Sequence, residues 1–415
     1  MQTGTLAYTR RDLLRRTGQL AGALAATATL PLALRTRHVP TSAGRSAPPL
    51  RIGALLPQST VYPRLAESLL AGLQLAFARE GRHIALLVED IGRGAAFPTP
   101  AVDRLLGEHR AAVLLGMVNP DTAASLRARL AASGALLVNL PVGANMPRAA
   151  DDHPAIVTHS LAHWQASLAL GRWAAGRLGR RALLATSLYD SGYDALYAFR
   201  LGFERAGGTV VATQVTHHPA NDDPLAAQLD ALTGFAPDFV YAAYSGQDAV
   251  DFVRAYHAAG LTARLPLIGS SFLTDEALLP QMGPVALGIR TAAPWSPALD
   301  TPANRRFVAA YRAQTGQAPD TFALLGYETA QLLAQADAAL WAPALSFTGP
   351  RGVIGLDATT RTTTGPLYLR EVRAAGAGLV NAILGALPAP AVSDPALADL
   401  RGSVKTGWST PYLCS

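Results

Sequence analysis

The residues best suited to chemistry in this chain of 415 residues are neutral hydrogen-bonding groups and flat aromatic rings, gathered in short loops. They are Gln58, Ser59, Thr60 and Tyr62; Asn119; Asn145; His159, Ser160 and Trp164; Tyr189, Asp190, Ser191 and Tyr193; Tyr244 and Ser245; and Ser270, Ser271 and Phe272. Hydroxyls, with the N–H groups at helix starts, hold a carboxylate. Acids or carbonyls hold an ammonium, and rings cover an apolar body. This is an inventory for binding a small molecule. Singly, each residue has a plainer reading: Trp164 as core, Tyr193 as a capping-loop aromatic, His159 as a surface histidine.

The common catalytic patterns are missing. His217 and His218 are adjacent, so their side chains diverge, and His159 and His163 lack the glutamate of a zinc-protease helix. No Gly-x-Ser-x-Gly elbow occurs, and Gly269-Ser270-Ser271 reads only as a turn. There is no dinucleotide fingerprint after the first strand and no P-loop. The residues offer no nucleophile–base–acid set, so an α/β hydrolase is a weak alternative. No cofactor or metal is implied.

The loops need elements to position them. The central stretch, 157–211, reads as helix (apolar at Trp164, Leu168, Leu170, Trp173, Ala174 and Leu178), strand 182–187, polar loop 188–193, helix 194–206 ended by Gly207-Gly208, and a strand from Thr209. Upstream, strands are predicted at 51–56, 84–88, 112–115 and 135–139, with helices at 65–78, 99–110 and 120 to about 132. Glu89 and Asp90 fall just after the second strand. Asn119 is placed to cap a helix with Pro120 at its first position. Downstream come a helix at 223–233, a strand at 239–244, a helix at 247–259, a strand at 266–269, a short helix at 275–279 and a strand at 286–292. Helices at 302–315 and 321–340 have no strands of their own and are expected to return to the first lobe. Strands at 353–356 and 365–372 flank a Thr-rich hairpin, and 374–415 reads as weakly structured. Short strands alternating with helices mean parallel sheets covered on both faces, and in such sheets ligands bind at the carboxyl ends of the strands.

Half of the residues are apolar and 15% are charged, as in a compact globular chain long enough for two domains. The net charge of +6 comes from residues 1–50, which hold seven arginines against the single acid Asp12. The neutral remainder has no electrostatic footprint for nucleic acid. Cys414 is the only cysteine, so no internal disulfide forms. A charged section, Arg10 to Arg16, precedes a small-and-apolar run, Gly18 to Leu34, too short to span a membrane. Thr9-Arg10-Arg11-Asp12-Leu13-Leu14-Arg15 resembles a twin-arginine leader, which implies export of a folded protein, with processing after Ala33, Ala43 or Ala47.

In order along 51–372, several short pieces carry a resemblance. They are Arg51-Ile52-Gly53 with Leu55-Leu56-Pro57; Gly72 within 71–76; the Gln165 helix; Tyr189-Asp190-x-Gly192; Phe199, Phe203 and Gly207-Gly208; and Pro237-Asp238. Phe307, Tyr311, Gly316 and Pro319, then Gly326-Tyr327-Glu328-Thr329-Ala330, then Gly349 and Gly352 complete the series. The chain resembles type I periplasmic binding proteins of the branched-chain amino acid class, the substrate-binding subunits of ABC importers. The resemblance implies an α/β fold of two Rossmann-like lobes with parallel-rich sheets joined by a three-crossover hinge. Lobe one would be 51–160 plus 296–346 and lobe two 161–292 plus 349–372. Residues 1–50 would be signal and linker and 373–415 a C-terminal tail. It also implies a monomer outside the cytoplasm that closes on a small solute and meets a membrane permease, with no nucleic-acid partner and no membrane span once the leader is removed.

The family's ligand clamp falls on Ser59, Thr60, Asn119, Val142, Ala144, Tyr193, Tyr244 and Ser271. From the residues themselves, Tyr62, Trp164, Tyr189, Asp190 and Ser270 join them. Four positions depart from the pattern. Asn119 stands where a hydroxyl residue usually meets the carboxylate. Ala144 stands where threonine is usual, Ser271 where amino-acid binders present a glutamate to the ammonium, and His159 where arginine is common. Asp190 or Asp275 would have to replace that acid. The expected ligand is therefore small and polar-ended, with amino acids, amides, urea and carboxylates all open. A sensor feeding a signalling partner is the runner-up reading.

Overall fold

The computed structural model describes residues 49–57, 62–81, 83–91, 99–118, 120–146, 153–216, 229, 231–335, 345–391 and 397. The leader, the greater part of the helix expected at 223–233, His217 and His218, and Cys414 lie outside the described residues.

The first sheet is built from β1 (Leu50–Leu56), β2 (Ile84–Asp90), β3 (Val113–Gly116), β4 (Leu136–Asn139) and β5 (Ile156–Thr158), all parallel, in the order β2-β1-β3-β4-β5. Residues 52–56 of β1 are buried without alternation, as a strand covered on both faces requires. The connections are α1 (Leu65–Arg79), α2 (Thr99–Asp103, continued by a π-helical turn Arg104–Glu108), α3 (Pro120–Ser125) and α4 (Arg127–Ser133). β5 was not expected; its three residues are too few to carry a period. Glu89 and Asp90 lie inside β2 rather than after it, because pairing with β1 runs on to Leu56.

The second lobe starts with α5 (His163–Ala175), β6 (Arg181–Ser187), α6 (Asp194–Arg205), β7 (Thr209–Thr216), β8 (Phe239–Ala243), α7 (Gly246–Ala258), β9 (Leu267–Gly269), α8 (Leu279–Met282) and β10 (Arg290–Ala293). Then α9 (Pro302–Thr315) and α10 (Thr321–Gln335) return to the first lobe. There Phe307, Tyr311, Phe322 and Leu325 share one core with Ile52, Leu69 and Leu73. Thr301 caps α9, its side-chain oxygen accepting the Asn304 N–H, with Pro302 in the first turn. Next come β11 (Ser346–Gly349), β12 (Gly352–Leu356) and β13 (Thr363–Thr364), a small antiparallel sheet. Finally β14 (Leu367–Ala375) and β15 (Gly378–Leu387) complete a seven-stranded sheet in the order β15-β14-β10-β9-β8-β6-β7. β14 pairs antiparallel with both β10 and β15, and the other pairs in the sheet are parallel.

Four expectations are corrected. The stretch 275–279 is a turn with the helix starting at Leu279, and 283–286 is a 3₁₀ turn that delays the strand to Arg290. The Thr-rich segment does turn back as a hairpin, but its return strand is the short β13 rather than 365–372, since β14 belongs to the other sheet. Within 374–415, Gly378–Leu387 is a ten-residue strand rather than weak structure. It is an edge strand whose outer residues stay exposed, so alternation is faint.

One helix pair in each lobe crosses at backbone distance. A Cβ on Gly326 of α10 would lie 1.9 Å from the Leu69 carbonyl oxygen of α1, and one on Gly72 would lie 2.0 Å from that of Ala323. In the second lobe a Cβ on Gly202 of α6 would lie 2.1 Å from the Leu168 oxygen of α5, and one on Gly171 would lie 2.3 Å from that of Phe199. Reciprocal glycines thus fix how the helices lie on each sheet, and so where the strand-end loops point.

Candidate functional site: the gap between the strand ends

The carboxyl ends of the two sheets face each other. After β6, a single 3₁₀ turn, Asp190–Gly192, brings Asp190 beneath the neighbouring strand end. The Ser187 hydroxyl donates to the Asp190 carboxylate at 2.9 Å, and the Ser245 hydroxyl donates to it at 3.0 and 3.2 Å. The Asp190 N–H donates to Ser187 Oγ at 2.9 Å. Burial pushes the Asp190 carboxyl up to about 7, against the pull of those two hydroxyls.

After β9 a turn carries Ser270 to Asp275. The Asp275 N–H donates to the Phe272 carbonyl at 3.3 Å, and Asp275 Oδ1 accepts the Ala277 N–H at 3.0 Å. Burial first, then the neighbouring Glu276, pushes Asp275 up to about 8; Asp320 adds to this and Arg370 opposes it. Arg370, on β14, has its donors engaged. Nε bonds Thr291 at 3.2 Å, Nη1 bonds Glu276 at 3.1 Å and the Trp295 carbonyl at 3.0 Å, and Nη2 bonds the Ser271 carbonyl at 3.0 Å.

Across the gap stands Tyr62, on the loop after β1. Its ring lies 5.5 Å from that of Phe272 and 5.3 Å from that of Phe322. Burial raises its phenol well above the ordinary value, the Asp275 and Asp190 charges add to this, and the Gly246 N–H at the start of α7 works against it. Tyr62, Val142, Ala144 and Leu161 from one side and Tyr193 and Phe272 from the other belong to one apolar cluster. The loop after β4 meets α6 as well: the Met146 N–H donates to Asp194 Oδ2 at 2.9 Å, and the Asp194 N–H to Asn145 Oδ1 at 3.2 Å. A cavity of about 20 Å³, walled by Leu161, Ser271, Phe272, Asp275, Trp295 and Arg370, lies at the hinge end of the gap. That is space on the order of a single water, so the lobes are closed here.

Buried polar groups tie the crossovers together. His159, just beyond β5, places Nδ1 2.9 Å from Thr363 Oγ1 and Nε2 3.6 Å from the Glu328 carboxylate of α10. Arg351 Nε lies 2.8 Å from the same Glu328 oxygen, and its two terminal nitrogens donate to the Ser160 carbonyl at 3.3 Å each. Burial pushes Glu328 up to about 7 and Arg351 pulls it back; burial and then Arg351 hold His159 well below its ordinary value, hence neutral. In the second crossover, Trp295 Nε1 donates to Asn304 Oδ1 at 2.7 Å, while the Asn304 amide donates to the carbonyls of Ser296, Pro297 and Leu299.

Residues 49–377 match a family model described as "Periplasmic binding protein". The chain belongs to this family. A Leu/Ile/Val-binding protein homolog 6 of Brucella melitensis is 30% identical over 239 residues, 54% of this chain and 61% of the relative. The chain thus spans less than two thirds of that relative's length. Among solved structures, an ABC transporter substrate-binding protein from Sphaerobacter thermophilus superposes with a TM-score of 0.73 at 26% identity, covering 82% of this chain and 98% of the other. A solute-binding protein of an ABC transporter from Rhodopseudomonas palustris, solved with benzoate, gives 0.69 at 30% identity, covering 85% and 99%. The fold is the family's: two α/β lobes with parallel-rich sheets joined by a hinge region.

In this periplasmic binding protein the expected site residues divide. Tyr62, Val142, Ala144 and Tyr193 meet in the shared cluster, with Tyr189 half-buried and edge-on to Tyr193 at 6.1 Å. Asp190 and Ser271 stand beside it; Ser270 is buried with its N–H on the Ala242 carbonyl. Tyr244 instead turns into the second lobe's core, its hydroxyl 3.0 Å from that of Thr216 and its ring stacked on Phe252 at 4.2 Å. Trp164 packs with Met146, Leu168, Ala198 and Leu397, in a separate cluster. Ser59, Thr60 and Asn119 lie outside the described residues. His159 is a fully buried hinge residue rather than a surface one. Among the described residues no group of three or more acids, histidines or cysteines is placed to hold a metal, and no helix is long and apolar enough to cross a membrane.

Sequence reasoning overlooked His163, Arg370 and Trp295. His163 was weighed only as half of a histidine pair. What places it is Ala162 in the left-handed region at φ 53°, and the close pass of Gly143, where a Cβ would sit 3.1 Å from the His163 nitrogen. Both His163 ring nitrogens are buried without a hydrogen-bond partner among the described residues, at a cost of roughly 1–3 kcal/mol for each orphaned group.

The three raised carboxyls, Asp190, Asp275 and Glu328, give a pH dependence of known sign. An acid whose folded pKa lies above its unfolded value binds more protons folded, so its contribution is full below the unfolded value and declines as pH rises to the folded one. For Asp275 that window runs from the ordinary 3.8 to about 8. Asp275→Asn is expected to flatten the fall in urea midpoint between pH 5 and pH 8. A fall as steep as that of the unaltered protein would remove Asp275 as a buried acid.

Proposed function

We propose that this chain captures a small solute with an apolar body and a polar end between its two lobes, and presents the closed form to the permease of an ABC importer. The supporting observation is the single apolar cluster that joins Tyr62, Val142 and Ala144 to Tyr193 and Phe272 across the gap. A solute entering there bridges the lobes and shifts the open–closed balance, and no bond is made or broken. The lobes would be 51–160 plus 296–346 and 161–292 plus 349–372, with β15 extending the second. Ser59, Thr60 and Asn119, at the strand ends of the first sheet, would supply hydroxyl and amide contacts to the polar end. Residues 1–50 would direct export through a twin-arginine route, placing a monomer in the periplasm or an equivalent compartment.

The ligand is open within small amino acids, amides, urea and carboxylates. Ala144 and Ser271 remove two anchors that an α-amino acid uses in the resembling proteins, and the curated relative's name and the benzoate-bound structure point to different solutes. Titration calorimetry with a panel of leucine, acetamide, urea and benzoate tests the reading. One class should bind one-to-one; tight leucine binding would overturn the view that the usual amino-acid clamp is absent, and no heat from any solute would end the solute-capture reading. Tyr193→Ala should weaken the binding solute by about 2 kcal/mol, near thirtyfold. Unchanged affinity would remove Tyr193 from the site.

A further inference from the structure

His163 stands on the first turn of α5, directly after the first crossover. Its ring lies against Phe272, centroids 4.8 Å apart, and Phe272 in turn lies against Tyr62 at 5.5 Å. Phe272 is a wall of the interlobe cavity, and Leu161, two residues before His163, is another. The histidine is therefore one residue removed from the gap and on its aromatic side. Its backbone is held, with the N–H on the Val142 carbonyl at 3.3 Å. Its two ring nitrogens are not: among the described residues neither has a partner, and the residue is 5% exposed. Buried imidazoles normally spend at least one nitrogen on a hydrogen bond. Burial holds this one neutral, lowering it to about 3, so it carries one N–H and one bare nitrogen throughout the physiological range.

Two charged groups at the gap, Arg370 and Asp190, are already engaged. The Arg370 donors are spent on Thr291, Glu276 and two carbonyls, and Asp190 is held by Ser187 and Ser245. We propose that His163 reads the ligand, and that the ligand is an aromatic solute carrying a ring hydroxyl. The inference rests on the solute-capture reading and deepens it. A flat ring entering beside Phe272 and Tyr62 keeps the apolar contacts of the closed gap. A hydroxyl both donates and accepts, so it satisfies a neutral imidazole in either tautomer. An ammonium satisfies only the bare nitrogen. A carboxylate satisfies only the N–H.

The test compares benzoate with 4-hydroxybenzoate, which differ by the hydroxyl alone, by titration calorimetry on the full chain, on His163→Phe and on His163→Gln. In the unaltered protein the hydroxyl should strengthen binding by about tenfold or more. In His163→Phe that preference should fall to about twofold or less, and His163→Gln should recover part of it. His163→Phe removes two orphaned nitrogens and should melt no lower than the parent, which separates lost recognition from lost folding. A hydroxyl preference that survives in His163→Phe overturns the assignment. So does the absence of binding by both compounds while leucine, acetamide or urea binds, and then solute capture still stands. If no solute of either set binds, the capture reading itself fails.

Discussion

Replacing Arg351 by methionine is expected to destabilise the protein by about 3–5 kcal/mol, because it leaves the Glu328 carboxylate buried without its cation. Arg351 is 2% exposed and Glu328 is 0% exposed, so water cannot take over the charge. The guanidinium also holds the Ser160 carbonyl, so its loss loosens the first and third crossovers together. The neighbouring His159 cannot compensate, since burial keeps it neutral. The sign with pH follows from Glu328, which burial draws up to about 7. The loss should be largest above pH 7, where the unpaired carboxylate must ionise or hold its proton at a cost, and smaller near pH 5, where it is protonated. Glu328→Leu combined with Arg351→Met should recover most of the loss, since replacing both partners of a buried pair with apolar groups is often neutral or stabilising. Urea unfolding of the single and double variants at pH 5 and pH 8 measures this. A single variant within about 0.5 kcal/mol of the parent would mean that the pair does not lock the hinge.

Gly326→Val is expected to cost about 3 kcal/mol or more, at the upper end of overpacking effects, because its Cβ meets a backbone oxygen and not a pliable side chain. The built Cβ lies 1.9 Å from the Leu69 carbonyl oxygen, so α1 and α10 must move apart. α1 follows the loop that carries Tyr62, so the shift also opens the gap. Gly107→Ala is the control. Nothing lies within 4 Å of its Cβ, and alanine is the better helix former, so the change should be neutral or stabilise by up to about 1 kcal/mol. Thermal unfolding with matched calorimetric enthalpies checks both. A Gly326 variant as stable as the Gly107 variant would contradict the close helix crossing.

Where burial on both faces leaves a continuous apolar run, as in 182–187, or where a helix has one apolar stripe, as in 65–78, the element is legible in the sequence and appears nearly as expected. Legibility fails where pairing is decided from outside the segment. β5 is three residues long, β13 two, and β15 is half-exposed, so each exists because a neighbour accepts its hydrogen bonds. The site shows the same division. Strand-end loops are found by position alone, and Tyr62, Val142, Ala144 and Tyr193 do converge. Which way a loop side chain turns depends on tertiary packing: Tyr244 goes to Phe252 and Thr216, and Trp164 to a separate cluster with Leu397. The hinge pair of Glu328 and Arg351 is 23 residues apart in sequence and on different elements, so no spacing rule finds it.

The central claim is that two α/β lobes close on a solute at their strand ends, and the most direct measurement is the distance between them. Arg64, on the loop leading into α1, and Gln247, on the first turn of α7, are exposed and stand next to Tyr62 and Gly246 in the two lobes. Cysteines at these two positions, with Cys414 changed to serine, accept spin labels for pulsed dipolar spectroscopy. Without solute the distances should spread over an open and a closed population, and the solute that binds in calorimetry should collapse them onto the short one. A single distance that stays the same with every solute, bound or unbound, would contradict the account.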